Sequence, residues 1–169
     1  MRNVAVLCAV MIFMASNLRA QAKPACSLLT EAEIGTVGAT GQGIPGDMTI
    51  PDGPYKGQTM RMCSWRMKAG GLHLSASPMP PGASREAYEA QLSKTYQKLT
   101  SKGWKQEKKV FGNVSCTLFT PPTSDKQSPA NTSCLTAQKG MLVNADTISI
   151  TPIPMENLKP LVDSATGRL

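Results

Sequence analysis

The chain has 169 residues, 18 Lys and Arg against 11 Asp and Glu, and one histidine. That length suits a single domain, and one histidine excludes a multi-histidine metal centre. No G-x-S-x-G or G-x-x-x-x-G-K-[ST] pattern occurs, so the common serine-hydrolase and P-loop signatures are missing as well.

The chain opens with a short basic stretch (MRN), runs through an apolar segment at 4–15, and reaches Ala20-Gln21-Ala22. Basic start, apolar centre and an A-x-A site in that order are the layout of a secretory signal peptide over 1–22. The apolar run is shorter than the roughly 20 residues that cross a bilayer. Cleavage after Ala22, or Ala20, leaves one domain over 23–169 with 16 basic and 11 acidic side chains, a net charge of +5. No later segment is long and apolar enough to span a membrane, so the expected product is soluble and secreted or periplasmic, with no membrane anchor after cleavage. Nucleic acid is not an expected partner despite the positive charge, because the chain leaves the cytoplasm and carries no recognition module.

Four cysteines remain in that product: Cys26, Cys63, Cys116 and Cys134. An even number in an exported domain points to disulfides, and four cysteines allow three pairings. Lipidation of Cys26 fits poorly, because Lys23-Pro24-Ala25 separate it from the apolar segment. Scattered spacing argues against zinc, and the absence of a C-x-x-C or a nearby histidine argues against a catalytic thiol. The preferred pairing is Cys26–Cys63, tying an N-terminal helix to a central strand, and Cys116–Cys134, linking neighbouring strands across the loop 121–131. In a chain-entropy model each contributes roughly 3–4 kcal/mol.

Thr30-Glu31-Ala32-Glu33 is a capping box, with Leu29 and Ile34 spaced as a hydrophobic staple, so a short helix is predicted over 28–37. Residues 38–58 are dense in Gly and Pro and read as a loop with room for one short strand. Alternating residues at 60–68 and 72–77 around Ala69-Gly70-Gly71 predict a hairpin, with Leu72, Leu74 and Ala76 inward and His73, Ser75 and Ser77 outward. His73 thus reads as an exposed strand residue rather than a catalytic base. Ser84 caps a helix running to about Lys102, closed by Gly103. Its apolar stripe is Tyr88, Leu92, Tyr96 and Leu99; Lys94, Lys98 and Lys102 form a basic ridge continued by Lys105, Lys108 and Lys109.

Strands are predicted over 104–111 and 114–120 around Gly112-Asn113, then over 132–138 and 141–151 around Lys139-Gly140. Two formal glycosylation sequons, Asn113-Val114-Ser115 and Asn131-Thr132-Ser133, are read as chance. A closing helix over 155–168 has Leu158, Leu161, Val162 and Ala165 as its inner stripe. The order predicts an α+β fold: an antiparallel sheet of about five or six strands with helices packed on it and two disulfides that offset a core poor in aromatic residues.

The blocks CSLLTEAE (26–33), C-x-W (63–65), KVFGNVSC (109–116), the Lys-Gly turn and strand at 139–150, and a final helix ending in Arg168-Leu169 resemble small exported bacterial "CSLLT" domains of unknown function. More remotely they resemble the extracellular sensor domains of actinobacterial lipoproteins and kinases. The resemblance spans nearly all of the product. It implies a sheet-and-helix domain with the first two cysteines joined and the later two as a second pair. It brings no catalytic residues, and the chain departs from the lipoprotein members in lacking a lipobox.

The function expected is an exported, non-enzymatic binding or sensing domain. Its partner is an unknown acidic or protein molecule in the envelope or outside the cell, and no cofactor is expected. The candidate patch is Lys94, Lys98, Lys102 and Lys105 with Trp65 and Trp104, and Tyr88 and Tyr96 supply further apolar contact. Two alternatives are a structural or inhibitory protein presenting the stapled loop 121–131, and a hydrolase-type enzyme. The enzyme would need His73 buried in a cleft beside a carboxylate and a serine.

Overall fold

A computed structural model describes residues 23–52, 55–125 and 127–169; the signal peptide expected over 1–22 lies outside the described residues. After a 3-10 turn at Ala25–Leu28 come α1 (Glu31–Gly35), β1 (Ala39–Thr49), β2 (Thr59–Met67), β3 (Gly70–Pro78) and α2 (Arg85–Thr100). The chain continues through β4 (Lys105–Phe111), β5 (Val114–Thr120), β6 (Ala130–Gln138), β7 (Met141–Ser149) and α3 (Met155–Arg168). All strand pairs are antiparallel, in the order β1-β2-β3-β7-β6-β5-β4. Two meanders, β1–β3 and β4–β7, therefore meet where β3 pairs with β7, and α2 is the crossover that carries the chain to the far edge.

The fold is α+β with seven strands rather than five or six. The additional one is β1, in the Gly/Pro-rich stretch expected to be mostly loop. It sits at a sheet edge, where Pro45 removes no ladder hydrogen bond that the sheet needs. Its register shifts between Thr40 and Ile44, as at a bulge. Gly43 is required there for space: a Cβ would stand 2.4 Å from Cys63 Sγ and 2.7 Å from Trp65 Nε1. The β6–β7 hairpin turns through Lys139 (φ 52°) and Gly140 (φ 70°), the doubly positive φ pair whose twist matches the flanking strands.

Alternation sorts the sheet into two unlike faces. On one, Cys63, Leu74, Ala145, Cys134 and Cys116 fall side by side across five strands, each 0 % exposed. Helix α3 lies over β5, β6 and β7 on this face and buries Leu158, Leu161, Val162 and Ala165. Each of its large aliphatic side chains contributes about 1.5–3 kcal/mol by leaving water. Both disulfides form, Cys26–Cys63 and Cys116–Cys134. Both have half-cystines in this one row, so the first fastens the N-terminal turn onto the core and the second crosses between opposed strands.

The chain ends are joined by charge. The Thr30–Glu33 capping box forms as expected, and Leu29 and Ile34 are buried as its staple. Glu33 also receives a fork from the far end of the chain: Arg168 Nη1 and Nη2 each donate at 2.8 Å, and Nη1 donates to the Leu28 carbonyl at 2.7 Å. The guanidinium holds the Glu33 carboxyl well below its usual range, at about 2.

Two outcomes follow for stability. Replacing Cys116 and Cys134 together by Ala is expected to lower unfolding free energy by about 2–4 kcal/mol, read from urea denaturation, because the unfolded chain regains its loop entropy. Because Glu33 binds its proton more weakly in the folded state, its contribution is present above pH 4.5 and is lost as pH falls toward 2. The Glu33→Gln variant should show a shallower loss of melting temperature over that window; an unchanged acid slope would contradict the assignment.

Candidate functional site

The second sheet face is where chemistry collects. On β3, His73, Ser75 and Ser77 point there in succession, and the register places Asp146, Asn144 and Leu142 of β7 beside them. His73 Nδ1 lies 3.1 Å from Asp146 Oδ2, with the two side chains 30 % and 24 % exposed. Asn144 Nδ2 donates to Asp146 Oδ1 at 3.4 Å, and Ser133 Oγ of β6 donates to Asn144 Oδ1 at 2.7 Å. His73 therefore anchors a polar chain across three strands, rather than standing alone as an exposed strand residue. Its hydrogen bond to Asp146 raises its pKa, against the opposing pull of burial.

This arrangement has part of the layout an enzyme would need, a histidine oriented by a carboxylate. Ser133 stands on the far side of Asp146 from His73 and is bonded to Asn144, and among the described residues no hydroxyl hydrogen-bonds the other ring nitrogen. That nitrogen lies against Gly71, 3.4 Å from where a Cβ would stand. Among the described residues no three His, Cys, Asp or Glu side chains gather as a metal set.

Helix α2 covers part of this face. Ser84 caps it by accepting from the Ala87 amide, and Tyr88, Leu92, Tyr96 and Leu99 form its half-buried inner stripe. Its attachments are aromatic and ionic: Tyr96 packs on Phe119 with ring centroids 4.6 Å apart, and Glu89 pairs with Arg85 and with Lys108 of β4. Burial pushes the Tyr96 hydroxyl up to about 12.

Between α2, β3 and the β1–β2 connection lies a cavity of about 140 Å³. Its floor is Ser75, Ser77 and Leu142, and Tyr88 and Tyr55 form its walls. The two rings stand 5.8 Å apart at 89°, an edge-to-face pair. Tyr55 is 4 % exposed, and its hydroxyl is buried without a hydrogen-bond partner among the described residues. Burial also raises the Tyr55 and Tyr88 hydroxyls above their ordinary range.

The patch expected from the sequence is only partly assembled. Lys94 and Lys98 are exposed along α2, Lys102 is exposed in the turn after it, and Lys105 is exposed at the start of β4, with half-buried Trp104 between helix and strand. Trp65 does not join them. It is 5 % exposed on the core face, packed close to Gly43, because its position two residues after Cys63 gives it the same inward direction. Tyr55, Asp146, Asn144 and Ser133 carried no sequence signal of a site: Asp146 lies 73 residues from His73, and only the β3–β7 register brings them together. Compared with protein-family models, curated proteins and solved structures, the chain matches none.

His73 is the sole histidine, so its ring proton signal is unambiguous in an NMR titration. Its midpoint is expected above 6.5, and Asp146→Asn should move it down. A raised folded-state value stabilises the protein below the unfolded-state value and is lost as pH rises through the folded one. A midpoint unmoved by Asp146→Asn would mean the pair is not coupled in solution.

Proposed function

We propose that this chain is an exported, non-enzymatic binding or sensing domain whose ligand sits in the cavity between α2 and the second sheet face. One observation carries the reading: a cavity walled by Tyr55 and Tyr88 with Ser75 and Ser77 on its floor. Small-molecule sites are concave and mostly apolar, with a few placed polar groups, and this cavity has that composition.

Export is supported by two disulfides, which persist in oxidising compartments, and by the signal-peptide layout at 1–22. Among the described residues no helix is long and apolar enough to cross a membrane. Secretion or residence in the periplasm, and kinship with the "CSLLT" domains, belong to the same proposal. The loop that would be presented by an inhibitor lends that alternative less support. Its Pro121, Pro122 and Pro129 are half-buried, and Asp125 accepts from the Ser128 amide and hydroxyl at 3.1 and 2.5 Å, folding the loop back on itself. The Asp146–His73 pair keeps an enzyme as the second reading.

A library of small polar solutes titrated into labelled protein tests the proposal. Hits are expected to shift Tyr55, Tyr88 and Ser75 signals together and to lose at least about tenfold in affinity in the cavity-filling variant Ser75→Leu, the size of a blocked pocket contact. Hits that gather on the Lys94–Lys98–Lys102 ridge instead would sink it.

A further inference from the structure

We propose that the open edge of β4 takes an extended acidic segment of another protein, which pairs with it as an added strand. No residue of β4 lines the cavity under α2, so this surface is independent of that ligand site.

The backbone is the first ground. The sheet ends at β1 on one side and at β4 on the other, and an end strand leaves a row of N–H and C=O groups unpaired. The two ends are unlike. Strand β1 is blunted: Pro45 lacks an N–H, the register shifts between Thr40 and Ile44, and Gly41 has φ 81°. Strand β4 contains neither proline nor glycine, and it pairs with β5 in unbroken register from Lys105–Thr120 to Phe111–Val114. Every residue from Lys105 to Val110 is exposed. It is the regular edge of the sheet, the kind onto which an extended peptide adds by main-chain hydrogen bonds.

Charge is the second ground, and it selects the partner. Residues 94–110 hold six lysines and one acid, Glu107. Glu89 of α2 reaches Lys108, and Glu156 of α3 reaches Lys109. Lys94, Lys98, Lys102 and Lys105 have no carboxylate partner among the described residues. Lysines on an edge oppose pairing with a second lysine-rich copy. The same lysines favour an acidic strand, because opposite charges across an antiparallel pair attract and like charges repel. The unpaired lysines of α2 and the turn after it draw such a segment in from a distance.

The side-chain pattern is the third ground. Alternation puts Lys105, Glu107 and Lys109 on one face of β4 and Gln106, Lys108 and Val110 on the other. Val110 is 58 % exposed. A partner that alternates acidic and β-branched residues meets both faces: acids beside Lys105 and Lys109, and a branched apolar side chain beside Val110.

The test titrates isotope-labelled protein with a capped peptide of alternating Glu and Val, with its fully N-methylated form, and with the corresponding Lys and Val peptide, at matched ionic strength. The acidic peptide is expected to give saturable shifts over 105–111 and to slow hydrogen exchange at alternate amides there, a mark of main-chain pairing. Lys105→Gln should weaken it by about two- to fivefold, the size of one cross-strand charge pair, and added salt should weaken it further. Equal binding of the N-methylated peptide, which keeps the charge and loses every amide donor, would overturn the added strand and leave charge attraction alone. Equal binding of the lysine peptide would overturn the selection for acid. Shifts gathered on β1 would overturn the choice of edge. Slowed exchange on β4 that rises with protein concentration in the absence of peptide would assign the edge to a second copy and overturn the proposal, as would the absence of binding by any of the three peptides.

Discussion

The pairing of β3 with β7 is the interaction on which the rest of the molecule depends. It joins two meanders that otherwise have no common strand. Its register sends Leu72, Leu74 and Ala76, with Val143 and Ala145, to the core face. The same register sends His73, Ser75 and Ser77, with Asp146, Asn144 and Leu142, to the other. A slip of one residue would exchange the two sets, burying the His–Asp pair under α3 and exposing the leucines. Core and candidate site are thus consequences of a single alignment.

That alignment is held by few, well-placed fastenings. Both disulfides use the central row of the core face, where the sheet is most deeply covered. The N-terminal turn is fixed to β2 by Cys26–Cys63, and the end of α3 is fixed to the N-terminal cap by Arg168 and Glu33. Glu33 therefore serves two partners, completing its own capping box and accepting the guanidinium. The first and last helices become one layer over the sheet. Three Phe, two Trp and three Tyr are a small aromatic store for 169 residues, and several of them are used on the second face, so covalent and ionic links matter more for the first.

The second face is neither a full core nor a plain solvent face. Helix α2 buries no residue completely, and what lies beneath it is rich in hydroxyls and contains a paired histidine and carboxylate. The tyrosines supply apolar contact that such a floor cannot, while leaving an enclosed volume beside it. The basic ridge of α2 lies away from this inner stripe, so the helix presents lysines to solvent and aromatic rings to the cavity.

Features encoded over a few residues were readable from the chain alone. The capping box at Thr30–Glu33, the Ser84 cap, the β2–β3 and β6–β7 hairpins and the inner stripe of α3 follow from spacings of two to four residues, and the cysteine pairing followed from placing those elements in order. Strand β1 was hidden, because Gly41, Gly43, Pro45 and Gly46 look like loop chemistry; its edge position tolerates the proline, and the close approach of Cys63 and Trp65 demands the glycine. Trp65 was assigned to a surface patch although its spacing of two residues from Cys63 on one strand already put it on the same, inward face. Apart from β1, the sequence by itself determined the element types, along with the α+β class and the two staples. Only the tertiary structure decided which strands became neighbours, and with that the meeting of His73 with Asp146 and of Tyr55 with Tyr88. The physical reason is that such contacts come from strand register and crossover, which depend on the summed burial of whole faces and leave no signature at the residues they bring together.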